Sequence, residues 1–406
     1  MNGKVVFHKS LARIQREELL GLGSAQESGR FLNQVCVPEL FRWFLNQTIK
    51  NMLYQKVVFR QVHYRSENSR GETAVLSGLV ILPLDNFDRP VFRTVLGFQH
   101  GTQLERRLVP SCFNIHRPLD FVEVLIAAVF AMSGFTVVMA DYPGLGIDPG
   151  EHPYVNARPL AVAVTDLLLA VKAEQNGLSG GADPRVYLIG YSEGGYATMA
   201  TAREIQSNRQ YAATLRVSAA APMGGPHDLS GTMRRLMLRN DPYGADGYYM
   251  LLTLRGFRAC YGDDYDGGIF TKTKALQPEY QFLFDLADGY HPLDEIHKYM
   301  PEVPRTILAP AFIAELEDTG SLLCQALRDN DLYRWMPEMP MHLYHGSADD
   351  RVPYANSRIA SAGFFQRGRM IPAIPTFGLP LPGSEHLKAA PVCFMAGLAW
   401  LKQFLE

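Results

Sequence analysis

The spacing of hydrophobic positions changes character along the chain. Up to about residue 50, apolar side chains recur at helical spacing, as in Phe31-Leu-Asn-Gln-Val and Leu40-Phe-Arg-Trp-Phe-Leu. This predicts an amphipathic helical extension over residues 1–50, laid across one edge of a sheet. Gln55 to Ser66 and Ala74 to Leu84 are β-rich runs on either side of a Ser-Glu-Asn-Ser-Arg-Gly turn, which predicts a hairpin. From Phe92 onward, short apolar runs alternate with longer helical ones: Thr94 to Gln99, Phe121 to Met132, Thr136 to Ala140, Pro159 to Ala173, Val186 to Ile189 and Gly195 to Gln206. Strand and helix in alternation predict an α/β protein, a parallel sheet with helices on both faces.

The alternation then breaks. Between a strand near Val217 to Ala221 and another near Met341 lie about 110 residues, more than a βα crossover needs. Residues 224–338 are therefore expected to be a helical insertion, and residues 51–223 and 339–406 the core it interrupts. Met233-Arg-Arg-Leu-Met-Leu, the aromatic stretch from Pro242, Gln277 to Leu286 and Ser321 to Leu327 read as its short helices. No internal repeat, low-complexity tract or conventional linker is evident.

Composition narrows the picture. A chain of 406 residues that is 47% hydrophobic can bury a large core. Its formal net charge is −2 and it has no long run of Lys or Arg, so nucleic acid is not an expected partner. The first residues lack the apolar stretch and small-residue cleavage site of a secretory signal, so a cytoplasmic location is expected unless this N-terminus is a processed one. Phe121 to Val138 is the most apolar stretch, but Glu123 and Gly134 interrupt it, and no transmembrane segment is expected. Cys36, Cys112, Cys260, Cys324 and Cys393 show neither C-x-x-C nor other metal spacing. They are expected as free thiols, with one disulfide open, and no metal is expected.

The chemistry-bearing pattern follows the apolar run Val186 to Ile189. There Gly190-Tyr-Ser192-Glu-Gly194 forms a complete G-x-S-x-G, leading at once into a helix rich in small residues. Such a turn lifts a serine hydroxyl above the sheet edge, and its glycines let the backbone pass close to its neighbours. A serine hydroxyl needs a base, and the base an orienting acid. Downstream, His345-Gly-Ser-Ala-Asp349-Asp-Arg-Val-Pro ends a buried strand. Asp349 is the candidate acid, with Asp350 its competitor. His386, in Gly383-Ser-Glu-His386, follows as the candidate base and is the only histidine after Asp349. Two N–H groups would be needed for a developing oxyanion. The amide of Glu193 is one candidate. The other is the amide of Thr102, in His100-Gly101-Thr102 at the end of the Thr94 to Gln99 strand, with Gly101 giving backbone freedom and His100 structural. His345 is expected to shape the acid loop, and His8, His63, His116, His152, His291 and His297 to be surface or structural. Asp141 reads as part of a tight turn, with a substrate ligand as the alternative, and Asp166 as a satisfied structural acid.

These residues resemble the α/β-hydrolase fold, and within it the chain is similar to the secretory-type lipase and carboxylesterase group with a helical cap. Gln99-His-Gly-Thr, Ala140-Asp-Tyr-Pro-Gly-Leu-Gly, Gly190-Tyr-Ser-Glu-Gly-Gly, His345-Gly-Ser-Ala-Asp and Glu385-His carry the resemblance, across residues 92–222 and 338–406. It implies a mostly parallel eight-stranded sheet and a Ser192, Asp349, His386 triad. It also implies hydrolysis of a small-molecule or lipid ester through an acyl-enzyme, without a cofactor. From the apolar content of the insertion, Tyr249, Met250, Phe282 and Phe284 are candidates for the wall of an acyl pocket under the cap, with packing of the cap's own core as the alternative. The missing signal departs from the secreted members. The same fold serves exopeptidases, amidases and acyltransferases. A peptidase would need an acidic anchor such as Glu193, Glu315 or Glu317.

Overall fold

The central strands are buried on both faces, and their sequences show why they pair in parallel. In β4 (Thr94–Gln99) and β5 (Phe135–Ala140) nearly every residue is buried, and both are continuous apolar runs with no polar face. β6 (Arg185–Tyr191) and β7 (Arg216–Met223) follow the same rule. The computed structural model describes residues 4–16, 18, 48, 52–179, 183–242, 247–377 and 385–405. In it these strands join β1 (Val5–Gln15), β2 (Lys56–Glu67) and β3 (Thr73–Pro83) in a seven-stranded sheet ordered β1-β2-β3-β5-β4-β6-β7. Pairing is antiparallel from β1 to β5 and parallel from β5 through β4 and β6 to β7.

A two-stranded piece, β8 (Leu343–Gly346) and β9 (Ala373–Thr376), extends the parallel side. It docks on β7 by the Ala220 N–H to Pro340 O bond (3.0 Å) and the Gly224 N–H to Tyr344 O bond (2.9 Å). Strands β2 to β9 make up the expected eight. β1 is an addition that the sequence reading missed. The helical extension predicted for residues 1–50 is thus corrected at its start, where Val5–Gln15 is a strand registered along the length of β2. The unpaired edge of β2 is a template that offers this segment a ladder of backbone hydrogen bonds, which outweighs any local helical preference. The helix-like stretches around Phe31 and Leu40 lie outside the described residues.

Alternating side chains send each strand into two cores. Val80, Leu82, Val138 and Leu188 face α2 (Ala157–Ser179) and α3 (Glu193–Ser207). Leu79, Ile81, Val137 and Ile189 face α1 (Val122–Met132) and α9 (Glu385–Leu401). α1 is apolar almost all round, as a helix enclosed by core must be. Between β7 and β8 the chain forms short helices, among them the turns Leu229–Met233 and Arg234–Met237, α4 (Tyr248–Tyr261), α5 (Gln281–Leu286), α6 (Pro310–Glu317) and α7 (Leu322–Asp329). α8 (Ala355–Gln366) returns the chain to β9.

The order β5-β4-β6 makes β4 the switch point, where chain direction across the sheet reverses. In such sheets the crevice beyond the strands' C-terminal ends holds the ligand. Gln99 pairs with Gly190, and Tyr191 with Met223, so the loops after β4, β6 and β7 leave the sheet at one level. α3 fits there only because its first turn lacks side chains. A Cβ on Gly195 would lie 2.1 Å from Met223 O. Gly195→Ala is therefore expected to lose about 1–3 kcal/mol or more of stability through overpacking, read as a lowered urea midpoint. An unchanged midpoint would mean that α3 stands further from β7.

Candidate active site

At the end of β6 the backbone turns through Ser192 at φ 61° and ψ −126°, a left-handed conformation rare for a residue with a side chain. Two close approaches enforce it. A Cβ on Gly190 would lie 2.4 Å from Gly194 O, and one on Gly194 would lie 2.0 Å from Gln99 O. The Ser192 N–H is taken by Met223 O at 2.9 Å, which pins the turn to β7. Glu193 opens α3, and the first N–H groups of a helix have no intrahelical partner.

Ser192 Oγ lies 2.9 Å from His386 Nε2, and His386 Nδ1 lies 2.5 Å from Asp349 Oδ2. A carboxylate oxygen accepts, so Nδ1 carries the ring hydrogen and Nε2 is left to accept from the Ser192 hydroxyl. The other Asp349 oxygen accepts the Val352 N–H at 2.7 Å and the Arg351 N–H at 3.0 Å. Burial alone would push the Asp349 carboxyl up. The contacts with His386 and His345 outweigh it and hold the group below its ordinary range. Asp350 faces elsewhere, accepting the His386 backbone N–H at 3.0 Å. His345 Nε2 donates to Val352 O at 2.7 Å, and Nδ1 accepts from Ser357 Oγ at 2.8 Å. The ring thus braces the acid loop, as expected. Tyr191, which the sequence reading passed over, donates its hydroxyl to His386 O at 2.7 Å.

On the β4 side, Gly101 differs from expectation. Its φ is outside the left-handed region, and a Cβ would meet nothing closer than 3.5 Å. Backbone freedom is therefore not the reason for its place. Its amide instead donates to both carboxylate oxygens of half-buried Glu123, at 3.0 and 2.9 Å. Burial pushes Glu123 up to about 7, opposed by the Gly101 bond and reinforced by the neighbouring Glu193. His100 Nδ1 donates to Gly101 O at 2.7 Å, and burial lowers the ring's affinity for a second proton. The Glu193 side chain is also enclosed, its Oε1 lying 2.7 Å from His152 Nε2. His152 Nδ1 lies 3.1 Å from Pro143 O, and a carbonyl only accepts, so Nδ1 carries a hydrogen. His152 thus has a partner at the site that its isolated place in the sequence did not signal.

Asp141 accepts from Ser77 Oγ (2.6 Å) and the Ser111 N–H (2.9 Å), which makes it a structural acid of the turn. Asp166 likewise accepts from Ser66 Oγ at 2.8 Å. Beside Ser192 and His386 is a mostly apolar cavity with about 60 Å³ of free space. Met233, Met237, Tyr249 and Met250 reach it from the insertion, and Tyr154 and Arg351 from the core. Phe282 and Phe284, expected in the same wall, do not line it. Phe282 is 43% exposed against Tyr299, and Phe284 is buried beneath Arg255 and Arg258. Helical spacing placed both on α5 without showing which neighbours each face would meet. Among the described residues, Cys112, Cys260, Cys324 and Cys393 are free thiols, no His, Cys, Asp or Glu cluster could hold a metal, and no helix is long and apolar enough to cross a membrane.

The family model for secretory lipases matches residues 119–239, a span holding α1, β6 and the serine turn. A protein from Legionella pneumophila described as a hydrolase superposes with a TM-score of 0.80 and 25% identity, over 99% of this chain and 98% of that one. The chain has the α/β-hydrolase fold. The rice cell wall degrading esterase LipA from Xanthomonas oryzae shares the fold at TM-score 0.79 and 21% identity, over 100% of this chain and 99% of that one. Candida antarctica lipase A in its closed state does so at TM-score 0.68 and 16% identity, over 100% and 82%. Curated protein sequences give no match. The matches support an ester hydrolase of the lipase and esterase type.

Two outcomes follow for this hydrolase. Asp349→Asn should lower turnover by about 10³–10⁴-fold, as expected when a base loses the acceptor that fixes its tautomer. Asp350→Asn should cost far less, and the reverse ranking in steady-state kinetics would exchange their roles. Glu123, raised to about 7, favours its protonated form in the folded chain, so ionising it costs stability as pH climbs from the usual carboxylate range through 7. Glu123→Gln removes that cost. Its melting temperature relative to the parent should rise between pH 5 and pH 8, by the equivalent of up to about 3 kcal/mol. A difference independent of pH would mean that the carboxylate is well solvated.

Proposed function

We propose that this hydrolase cleaves carboxylic esters through an acyl-enzyme on Ser192, with His386 as the base and Asp349 as its orienting acid. The observation that carries the reading is the unbroken hydrogen-bonded line from Ser192 Oγ through His386 to Asp349, at the edge of an apolar cavity. His386 Nε2 takes the hydroxyl proton as Ser192 Oγ attacks the ester carbonyl. Asp349 stabilises the imidazolium that forms. The carbonyl electrons pass to an oxyanion facing the amides of Glu193 and Thr102. Collapse expels the alcohol, which receives the proton from His386, and water then repeats the cycle to release the acid.

The residues between β7 and β8, about 224–338, act in this reading as a cap whose inner face selects the acyl group. The cavity beside Ser192 is narrow, with about 60 Å³ of free space. A short acyl chain such as butyryl fits that space. The peptidase alternative finds less support. Glu193 is paired with His152, Glu317 pairs with Arg305 on an exposed face, and Glu315 does not line the cavity.

Ser192→Ala should leave folding intact and lower p-nitrophenyl butyrate turnover by about 10⁴-fold or more. A folded variant with parental turnover would end the assignment. Across p-nitrophenyl esters from acetate to palmitate, kcat/KM should peak at the short acids. Tyr249→Ala or Met250→Ala should shift the short-to-long ratio about tenfold, within the range of one to a few methylene-scale contacts. An unchanged profile in both folded variants would place the acyl group elsewhere.

A further inference from the structure

We propose that Glu123 is a positioning residue for the oxyanion donor on Thr102. This deepens the serine-ester reading above and rests on it. Glu123, itself half-buried, is the single acid in the run from Phe121 to Met132, whose residues from Val124 onward are all buried and apolar. Turning a carboxylate inward there is unfavourable without a compensating partner. A local rule broken inside a consistent core marks a site where something other than stability is served.

What the carboxylate does is specific. Both of its oxygens accept one N–H, that of Gly101, at 3.0 and 2.9 Å. From the other side, His100 Nδ1 donates to Gly101 O at 2.7 Å, while the Tyr142 hydroxyl holds His100 O at 3.0 Å and its ring stacks on the imidazole at 4.3 Å. Gly101 is therefore gripped at its N–H and at its C=O. The peptide joining Gly101 to Thr102 is trans, so its N–H points opposite to its C=O. Fixing Gly101 O toward His100 fixes the direction of the Thr102 amide, and Glu123 stops the preceding peptide from rotating out of register. Donors held in place before charge develops need no reorganisation during the reaction, which is where such sites gain their effect. Glu193, whose amide would be the other oxyanion donor, is near enough to influence the Glu123 carboxyl, and its own side chain lies 2.7 Å from His152 Nε2.

The test compares Glu123→Leu, Glu123→Gln and Glu123→Asp with the parent and with Ser192→Ala, on p-nitrophenyl butyrate and with a fluorophosphonate whose phosphoryl oxygen occupies the same hole. Glu123→Leu removes the acceptor and should lower kcat about 10²-fold with KM changed less than about threefold, the pattern of an interaction made in the transition state. The phosphonylation rate should fall in parallel. Glu123→Gln keeps an oxygen for Gly101 and should return kcat to within about tenfold of the parent. Should the leucine variant fail to fold, Glu123→Asp retains the carboxyl group but draws it back by a methylene, and a loss of about tenfold or more in kcat is expected. A folded Leu or Asp variant with parental kcat, or one that changes KM alone, overturns the proposal. Parental turnover in Ser192→Ala would overturn the nucleophile reading instead, and an inactive Ser192→Ala beside fully active Glu123 variants would overturn only this one.

Discussion

The backbone of α3 approaches β4, β6 and β7 so closely that three successive contacts exclude any side chain: Gly190 against Gly194 O, Gly194 against Gln99 O, and Gly195 against Met223 O. That approach forces Ser192 into φ 61° and points its hydroxyl away from the sheet. Were the helix to stand off by the width of a methyl group, the serine could relax into an ordinary turn. The distance to His386 Nε2 would then be set by a flexible loop instead of by the packed core. Strain at one residue is thus sustained by packing at three others.

Around that turn, buried acids are driven in opposite directions by their surroundings. Asp349 receives two backbone N–H groups and two imidazoles, and stays ionised despite its burial. Glu123 has one N–H donor and a carboxylate for a neighbour, and burial pushes it to about 7. Glu193 lies 2.7 Å from His152 Nε2. Groups pulled apart in this way are a mark of functional sites. In the proposed mechanism they divide the work: Asp349 orients the base, and Glu123 lies behind one of the donors that would face an oxyanion.

Much of this was legible in the chain. G-x-S-x-G after an apolar strand gave the turn and its two glycines, because sterics leave few other residues able to make it. The order of serine, acid and histidine led to Asp349 and His386, which the fold brings together across 37 residues of separation. Other features were not legible. β1 forms because β2 offers an open edge, a tertiary condition that residues 5–15 do not record. Glu123 was visible as a lone charge in an apolar run but read only as an interruption, since its partner Gly101 lies on another strand's loop. Phe282 and Phe284 carried the right composition for a pocket wall. Composition does not say which side of a short helix faces inward, and α5 turns neither toward Ser192.

Everything said of mechanism depends on Ser192 being the nucleophile that this packing makes of it. Peptide mapping by mass spectrometry after treatment with a fluorophosphonate tests that most directly. The account predicts one adduct per chain, on the peptide containing Ser192, formed in step with loss of ester hydrolysis and slowed when His386 is replaced by alanine. An adduct on any other residue, or full inactivation with Ser192 unmodified, would contradict it.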